Sequence, residues 1–287
     1  MQPSPSPYRP AWLPLTPRGV AGFAGASLRR VLAVQLLLAA ALAVLAVATV
    51  QDTWFADVRR LIGELPAEGA IRGGRLDWTN PVPVRLLEDR YLAVAVDPEQ
   101  SGVLGQEADL TILLSRTNAL CASVLGYAAV PYPTDYTISL RRDDVAAWWG
   151  AREPFLVLGV GAASGLFWLL AWWLLASVYW VAAWIVGLAG NRDLPPAAAW
   201  KLAAAAQLPG VLLFATALAS YRFGWLNLLR LGYGFALSFA VAWCYVFVSP
   251  MLVPKAASRA PKQNPFTGQG AADSPEAAKR GGNPFAR

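Results

Sequence analysis

Four long apolar runs interrupt an otherwise mixed chain. The first, residues 31–50, has only Gln35 and Thr49 as polar members. The second, residues 155–189, carries no charge. As one helix it would reach about 52 Å, well beyond a hydrocarbon core of about 30 Å. No turn signal divides it, so it predicts a single span that tilts, kinks or emerges past one face. The third run, residues 202–220, follows Pro195 and Pro196, which suit a helix start. The fourth, residues 226–253, meets Pro250 and Pro254 at its end. The pattern predicts an α-helical integral membrane protein with four transmembrane helices.

Residues 51–153 read differently. Trp54, Phe55, Val58, Leu61, Ile62 and Leu65 recur at helical spacing and predict a stem that continues the first span and stops at Pro66. After Gly73-Gly74, the runs RLDWTN, VPVRLL, YLAVAVDP, DLTILLS and DYTISL are short and divided by turn residues. They predict strands. Asp143-Asp144 offers an N-cap for a second stem. The segment is expected to form a small β-rich or α+β extracytoplasmic domain. The expected organisation is a disordered cytoplasmic tail over 1–30, the first span over 31–50 and this domain over 51–153. Three spans within 154–253 and a disordered cytoplasmic tail over 254–287 complete it.

Composition agrees with the pattern. Hydrophobic residues are 56% and charged residues 15%, against about 25% charged in soluble domains. The mean hydropathy is +0.41. The absence of His excludes a His-based triad and the common His-containing zinc sites. Two Cys exclude a disulfide framework and a cysteine-ligated cluster. On a four-span topology the flanks with both termini carry a net +9, including all four Lys, and the other side a net −3. The positive-inside rule then places the protein in the cell inner membrane with both termini cytoplasmic. A cleaved signal peptide ending near Ala46-Val47-Ala48 is the rival reading of the first run. Its full bilayer length and long leader favour an uncleaved anchor.

The stretches AIRGGRLDWTNPVPV, YLAVAVDPEQSG, DLTILLS and DYTISLRRDDVAAWW, set between one span and three, resemble a bacterial family of four-span integral membrane proteins. Some of its members are described as maltodextrin-utilisation membrane proteins. The resemblance covers roughly residues 28–253 and implies topology but no catalytic residues. The chain departs from that pattern at Pro98, where a threonine usually follows the Asp of the central strand. WKLAAAAQLPGVLL is more weakly similar to the Yip-type membrane superfamily.

Candidate chemistry is sparse. Asp97-Pro98-Glu99 is cation-like but lacks further oxygen ligands, and a turn accounts for it. Glu88-Asp89 and Asp143-Asp144 invite a paired-carboxylate reading, against capping and a solvated edge. Cys121 and Cys244 are expected at different depths and unlinked. Gly161 and Gly165 form a GxxxG pair suited to helix packing. Gly232-Tyr233-Gly234 also suits close packing, since a channel filter would need a re-entrant loop. Trp168, Trp172, Trp173, Trp180 and Trp184, with Trp148 and Trp149 beyond them, predict an aromatic belt, with a carbohydrate or lipid face as the rival. In the tail Asn264-Pro265-Phe266 recurs as Asn283-Pro284-Phe285. The pair resembles ligands of endocytic EH domains and would allow bivalent peptide docking.

No catalytic set, cofactor site or metal site emerges. The expected partners are the lipid bilayer and proteins reached through the external domain or the tail, not nucleic acid. Two functions follow. One is non-enzymatic sensing or scaffolding through the external domain. The other is membership of a membrane transport or lipid-handling complex, suggested by the Gln207-Leu208-Pro209 break.

Overall fold

The computed structural model describes residues 14–79, 82–99, 108–124 and 126–255. Its four longest helical segments, Leu28–Glu64, Arg142–Ala189, Pro196–Arg222 and Leu228–Leu252, are each long and apolar enough to cross a membrane. The first comprises α2 (Leu28–Val50), a π turn (Gln51–Phe55) and α3 (Ala56–Glu64). The extra residue of the π turn coincides with Thr49 and Thr53, whose hydroxyls bond back to Leu45 O and Thr49 O at 2.8 and 2.7 Å. The second is α4 (Arg142–Ala189), a single 48-residue helix despite Pro154. Its N-cap position is Arg141, so Asp143 and Asp144 lie in the first turn rather than at the cap.

The third segment is broken. α5 (Pro196–Ala206) stops at Gln207, and α6 (Leu208–Arg222) begins with Pro209 in its first turn. Proline has no N–H for the carbonyl four residues back, so the ladder is interrupted there. α5 is the centre of the bundle: Ala199 and Leu202 to Ala206 are fully enclosed. Alanines permit this, because their small side chains let α2, α4 and α7 (Leu228–Val248) close around one axis. α6 and α7 approach more tightly still. A Cβ placed on Gly210 would fall 2.1 Å from Ser238 O.

The N-terminal segment corrects an expectation. Proline-rich composition predicts disorder through residue 30, yet α1 (Pro17–Gly22) and a 3-10 turn (Phe23–Gly25) pack against α5. Val20 and Phe23 are buried there. Thr16 Oγ1 accepts from Gly19 N, and Ser27 caps α2. Lys201 Nζ donates to Ala26 O at 2.8 Å and Tyr245 Oη to Leu15 O at 2.6 Å. The closely spaced apolar residues Val20, Ala21, Phe23 and Ala24 suffice to dock the segment.

Two small sheets occupy the opposite end of the bundle, between α3 and α4. One has order β2-β1-β8, with β1 (Gly69–Arg72), β2 (Arg75–Trp78) and β8 (Ile138–Ser139) antiparallel. The other has order β3-β4-β5-β6-β7. It comprises β3 (Val84–Glu88), β4 (Leu92–Val96), β5 (Leu110–Leu114), β6 (Asn118–Ser123) and β7 (Gly126–Pro131). β4 and β5 run parallel, with Val96 opposite Leu114, and the other pairs are antiparallel. Leu86, Leu92, Val94 and Val96 bury against Leu65 of the stem. Strands β1, β6 and β7 lie outside the expected runs. β6 and β7 are rich in Ala, Gly and Ser, which give no alternating apolar signal.

Candidate functional site

The polar side chains converge where the second sheet meets the α6–α7 turn. The β3–β4 loop supplies Asp89, Arg90 and Tyr91, and the approach to β5 supplies Asp109. Asp109 N donates to Arg90 O at 2.9 Å, which fixes these two segments together. Tyr91 Oη lies 3.0 Å from Tyr221 O and 3.2 Å from Arg222 O, with the two tyrosine rings edge to face at 5.2 Å. Arg90 donates to Gly224 O. Gly224 has φ +75°, a conformation that favours glycine, and a Cβ there would stand 3.2 Å from Arg90 Nη1. Leu228 N donates to Asp109 Oδ1 at 3.0 Å. The sheet thus caps the first turn of α7 with a carboxylate, where helix N–H groups lack internal partners.

The stem joins the same cluster. Arg60 Nη1 reaches Asp89 Oδ2 at 2.6 Å and Asp57 Oδ1 at 3.4 Å. Asp57 is buried, and burial together with neighbouring Asp89 pushes its carboxyl up to about 6, against the opposing pull of Arg60. Burial also raises the Tyr91 hydroxyl. In the π turn Asp52 accepts from Arg222 Nε at 2.7 Å. Stem, sheet and α6–α7 turn therefore share one ion-pair and hydrogen-bond network. Its bonds tie the stem and the sheet to the α6–α7 turn.

A second polar group lies inside the bundle. Gln207, at the helix break, donates through Nε2 to Trp172 O at 3.2 Å and Ala203 O at 3.4 Å. Its Oε1 and the Trp172 indole N–H have no partner among the described residues. Both line a small cavity with Trp168, Val211 and Ser238. Gln35 of α2 is fully enclosed, and both of its amide atoms lack partners among the described residues.

The other expected positions are dispersed. A Cβ on Gly161 would stand 3.2 Å from Val47 Cγ2, and one on Gly165 would stand 3.8 Å from Ala43 Cβ, so both lie on the α4 face toward α2. Gly234 approaches Ala217 of α6, whereas Gly232 meets nothing within 4 Å. Glu88 pairs with Arg85, and Asp144 accepts from Ser139 Oγ. Asp97 is buried at the end of β4, and Glu99 lies 3.8 Å from Arg116. Cys121 is half-buried on β6 and Cys244 exposed on α7, and both are free thiols. Among the described residues no three acidic or thiol groups gather to hold a metal. The pair Asn264-Pro265-Phe266 and Asn283-Pro284-Phe285 lies outside the described residues. Arg90 and Tyr91 belong to the polar turn Glu88-Asp89-Arg90-Tyr91, and nothing in sequence ties that turn to Asp109 or to the α6–α7 turn. Only the fold brings them together.

No protein-family model, no curated protein and no solved structure matches the chain.

Proposed function

We propose that the chain is a non-enzymatic multi-pass membrane protein whose sheet region, outside the membrane, senses or scaffolds. Binding at the sheets is felt in the helices through Asp109 and residues 89–91. The Leu228 N–H bond to Asp109 carries this reading, because it makes the sheet a structural part of α7. The outer surfaces of the helices support insertion: Leu37, Val44, Phe155, Leu158, Leu174 and Phe247 are exposed and apolar. Arg18, Arg29, Arg30, Arg192, Lys201 and Lys255 belong to the bundle end opposite the sheets. This supports a cytoplasmic-membrane location with both termini inside.

The test is hydrogen exchange on the full chain in lipid nanodiscs, comparing wild type with Tyr91→Phe. Loss of protection is expected at the α6–α7 turn as well as in the β3–β4 loop. A change confined to the loop would overturn the coupling.

The break at Gln207 favours a second reading, a transport or lipid-handling component that uses the polar cavity beside Trp172. Solute or lipid movement by the reconstituted protein that Gln207→Leu abolishes would support it. No movement, alone or with co-purified partners, would refute it.

A further inference from the structure

At the outer end of α4 a groove of about 480 Å³ runs between β8 and the helix. This is within the usual range for small-molecule sites. Its lining combines the aromatic rings of Tyr136 and Trp148, the apolar Ile138, Leu140 and Val145, and the polar Thr137, Ser139 and Asp144. Tyr136 and Trp148 are 62% and 51% exposed, so both rings are open to a ligand.

Three residues of one helix face set the chemistry of the groove and of the surface beside it: Asp144 and Trp148 line the groove, and Arg152 lies one turn further along α4, outside its lining. Asp144, Trp148 and Arg152 follow at four-residue spacing and stack one above the other. The Arg152 guanidinium folds back over the Trp148 ring, 4.6 Å from its centroid, and donates to Trp148 O. Among the described residues it has no acidic partner. Glu153 beside it is already engaged by Arg59. The Asp144 carboxylate accepts from Ser139 Oγ at 2.6 Å and lies 4.0 Å from Arg141, keeping its negative charge at the groove edge. The order along the helix is therefore anion, aromatic, cation.

The same face continues below the groove as Phe155, Leu166, Leu170 and Trp173, all exposed and apolar. On the membrane reading above, Phe155 opens the hydrocarbon band. Trp148 stands roughly 10 Å above it, at headgroup depth. Arg152 is the inner charge and Asp144 the outer one. A zwitterionic phospholipid has that polarity, its phosphate next to the acyl chains and its ammonium farther out. Aromatic faces also favour an ammonium group.

We propose that this groove binds the headgroup of a zwitterionic phospholipid. Phosphate lies on Arg152, ammonium lies between Asp144 and the Tyr136 and Trp148 rings, and an acyl chain lies along the α4 stripe. The proposal rests on the membrane reading and names what the sheet region senses.

The experiment uses the full chain in nanodiscs of equal phosphatidylethanolamine and phosphatidylglycerol, with retained lipid identified by native mass spectrometry after mild detergent transfer. Wild type is expected to retain phosphatidylethanolamine at least tenfold over phosphatidylglycerol. Asp144→Asn should bring that ratio near one, and Trp148→Ala should lower retention of both. Equal retention by wild type, or a ratio unchanged in Asp144→Asn, would overturn the proposal. Release of the protein from membranes by alkaline carbonate would overturn it together with the membrane reading. A protein that stays in the pellet but shows no preference defeats the groove alone.

Discussion

The backbone N–H of Leu228 donates to the carboxylate of Asp109 across 119 positions of sequence. A residue at the entry to β5 therefore caps the first turn of a helix of the bundle. Asn227 caps the same turn locally through Arg230 N at 2.9 Å. Removing Asp109 leaves this local cap and deletes the distant one. Asp109→Ala is expected to cost about 1–2 kcal/mol, in line with the loss of an N-cap side chain. Thermal unfolding in detergent, followed by tryptophan fluorescence, measures it. Asp109→Asn, which retains an acceptor, should cost less. Equal losses for the two would show that charge rather than the hydrogen bond stabilises the turn.

Gly210 and Gly232 make a matched pair of controls for helix contact. A Cβ on Gly210 would overlap Ser238 O, a backbone atom that cannot rotate away. Gly210→Ala must push α6 from α7 and is expected to destabilise by about 3 kcal/mol or more. Gly232→Ala adds a methyl to open space and removes a flexible residue from a helix. It should be neutral or slightly stabilising, by up to about 1 kcal/mol. The two unfolding midpoints, compared in one detergent, check both statements.

Asp57 predicts a pH dependence whose sign follows from its raised carboxyl. The folded chain holds the proton up to about 6, whereas an unfolded aspartate releases it near 3.8. Folded stability therefore gains from this group below about pH 4 and loses that gain as pH rises through 6. Asp57→Asn should stabilise the protein at pH 7.5 by on the order of 1–2 kcal/mol. The difference between variant and wild type should shrink toward pH 4. Asp89, Asp109 and Arg60 are common to both proteins, so comparing the two isolates Asp57. A difference that grows on acidification would contradict the assignment.

The limits of sequence reading lie in particular residues. The four apolar runs are legible because a stretch of hydrocarbon length that is charge-free, or in the fourth run carries only Arg230 near one end, suits a bilayer and is costly to leave in water. Gln207-Leu208-Pro209 signals the break through proline chemistry alone. β6 and β7 are invisible because Ala119, Ala122, Ala128 and Ala129 carry no period-two contrast. The docked segment at Val20 and Phe23 is too short to stand out from its proline-rich surroundings. The junction is hidden for a different reason. Asp52, Arg90, Tyr91, Asp109 and Arg222 are ordinary loop and helix-end residues until tertiary packing brings them within bonding distance.

Gln35 is the most exposing test of the bundle interior. Its amide is fully enclosed, with neither oxygen nor nitrogen partnered among the described residues. A buried amide without partners costs about 1–3 kcal/mol, and a leucine of similar volume carries no such cost. Gln35→Leu is therefore expected to raise stability by about that amount. Gln207→Leu should not show the same gain, because it deletes the bonds to Trp172 O and Ala203 O that tie α4 to the broken helix. Denaturant titrations of the two variants in one detergent decide the matter. A destabilised Gln35→Leu would show that the amide makes a stabilising contact with water or a small polar ligand inside the bundle. In that case the polar interior would be a binding feature, and the transport reading would gain over the sensing one.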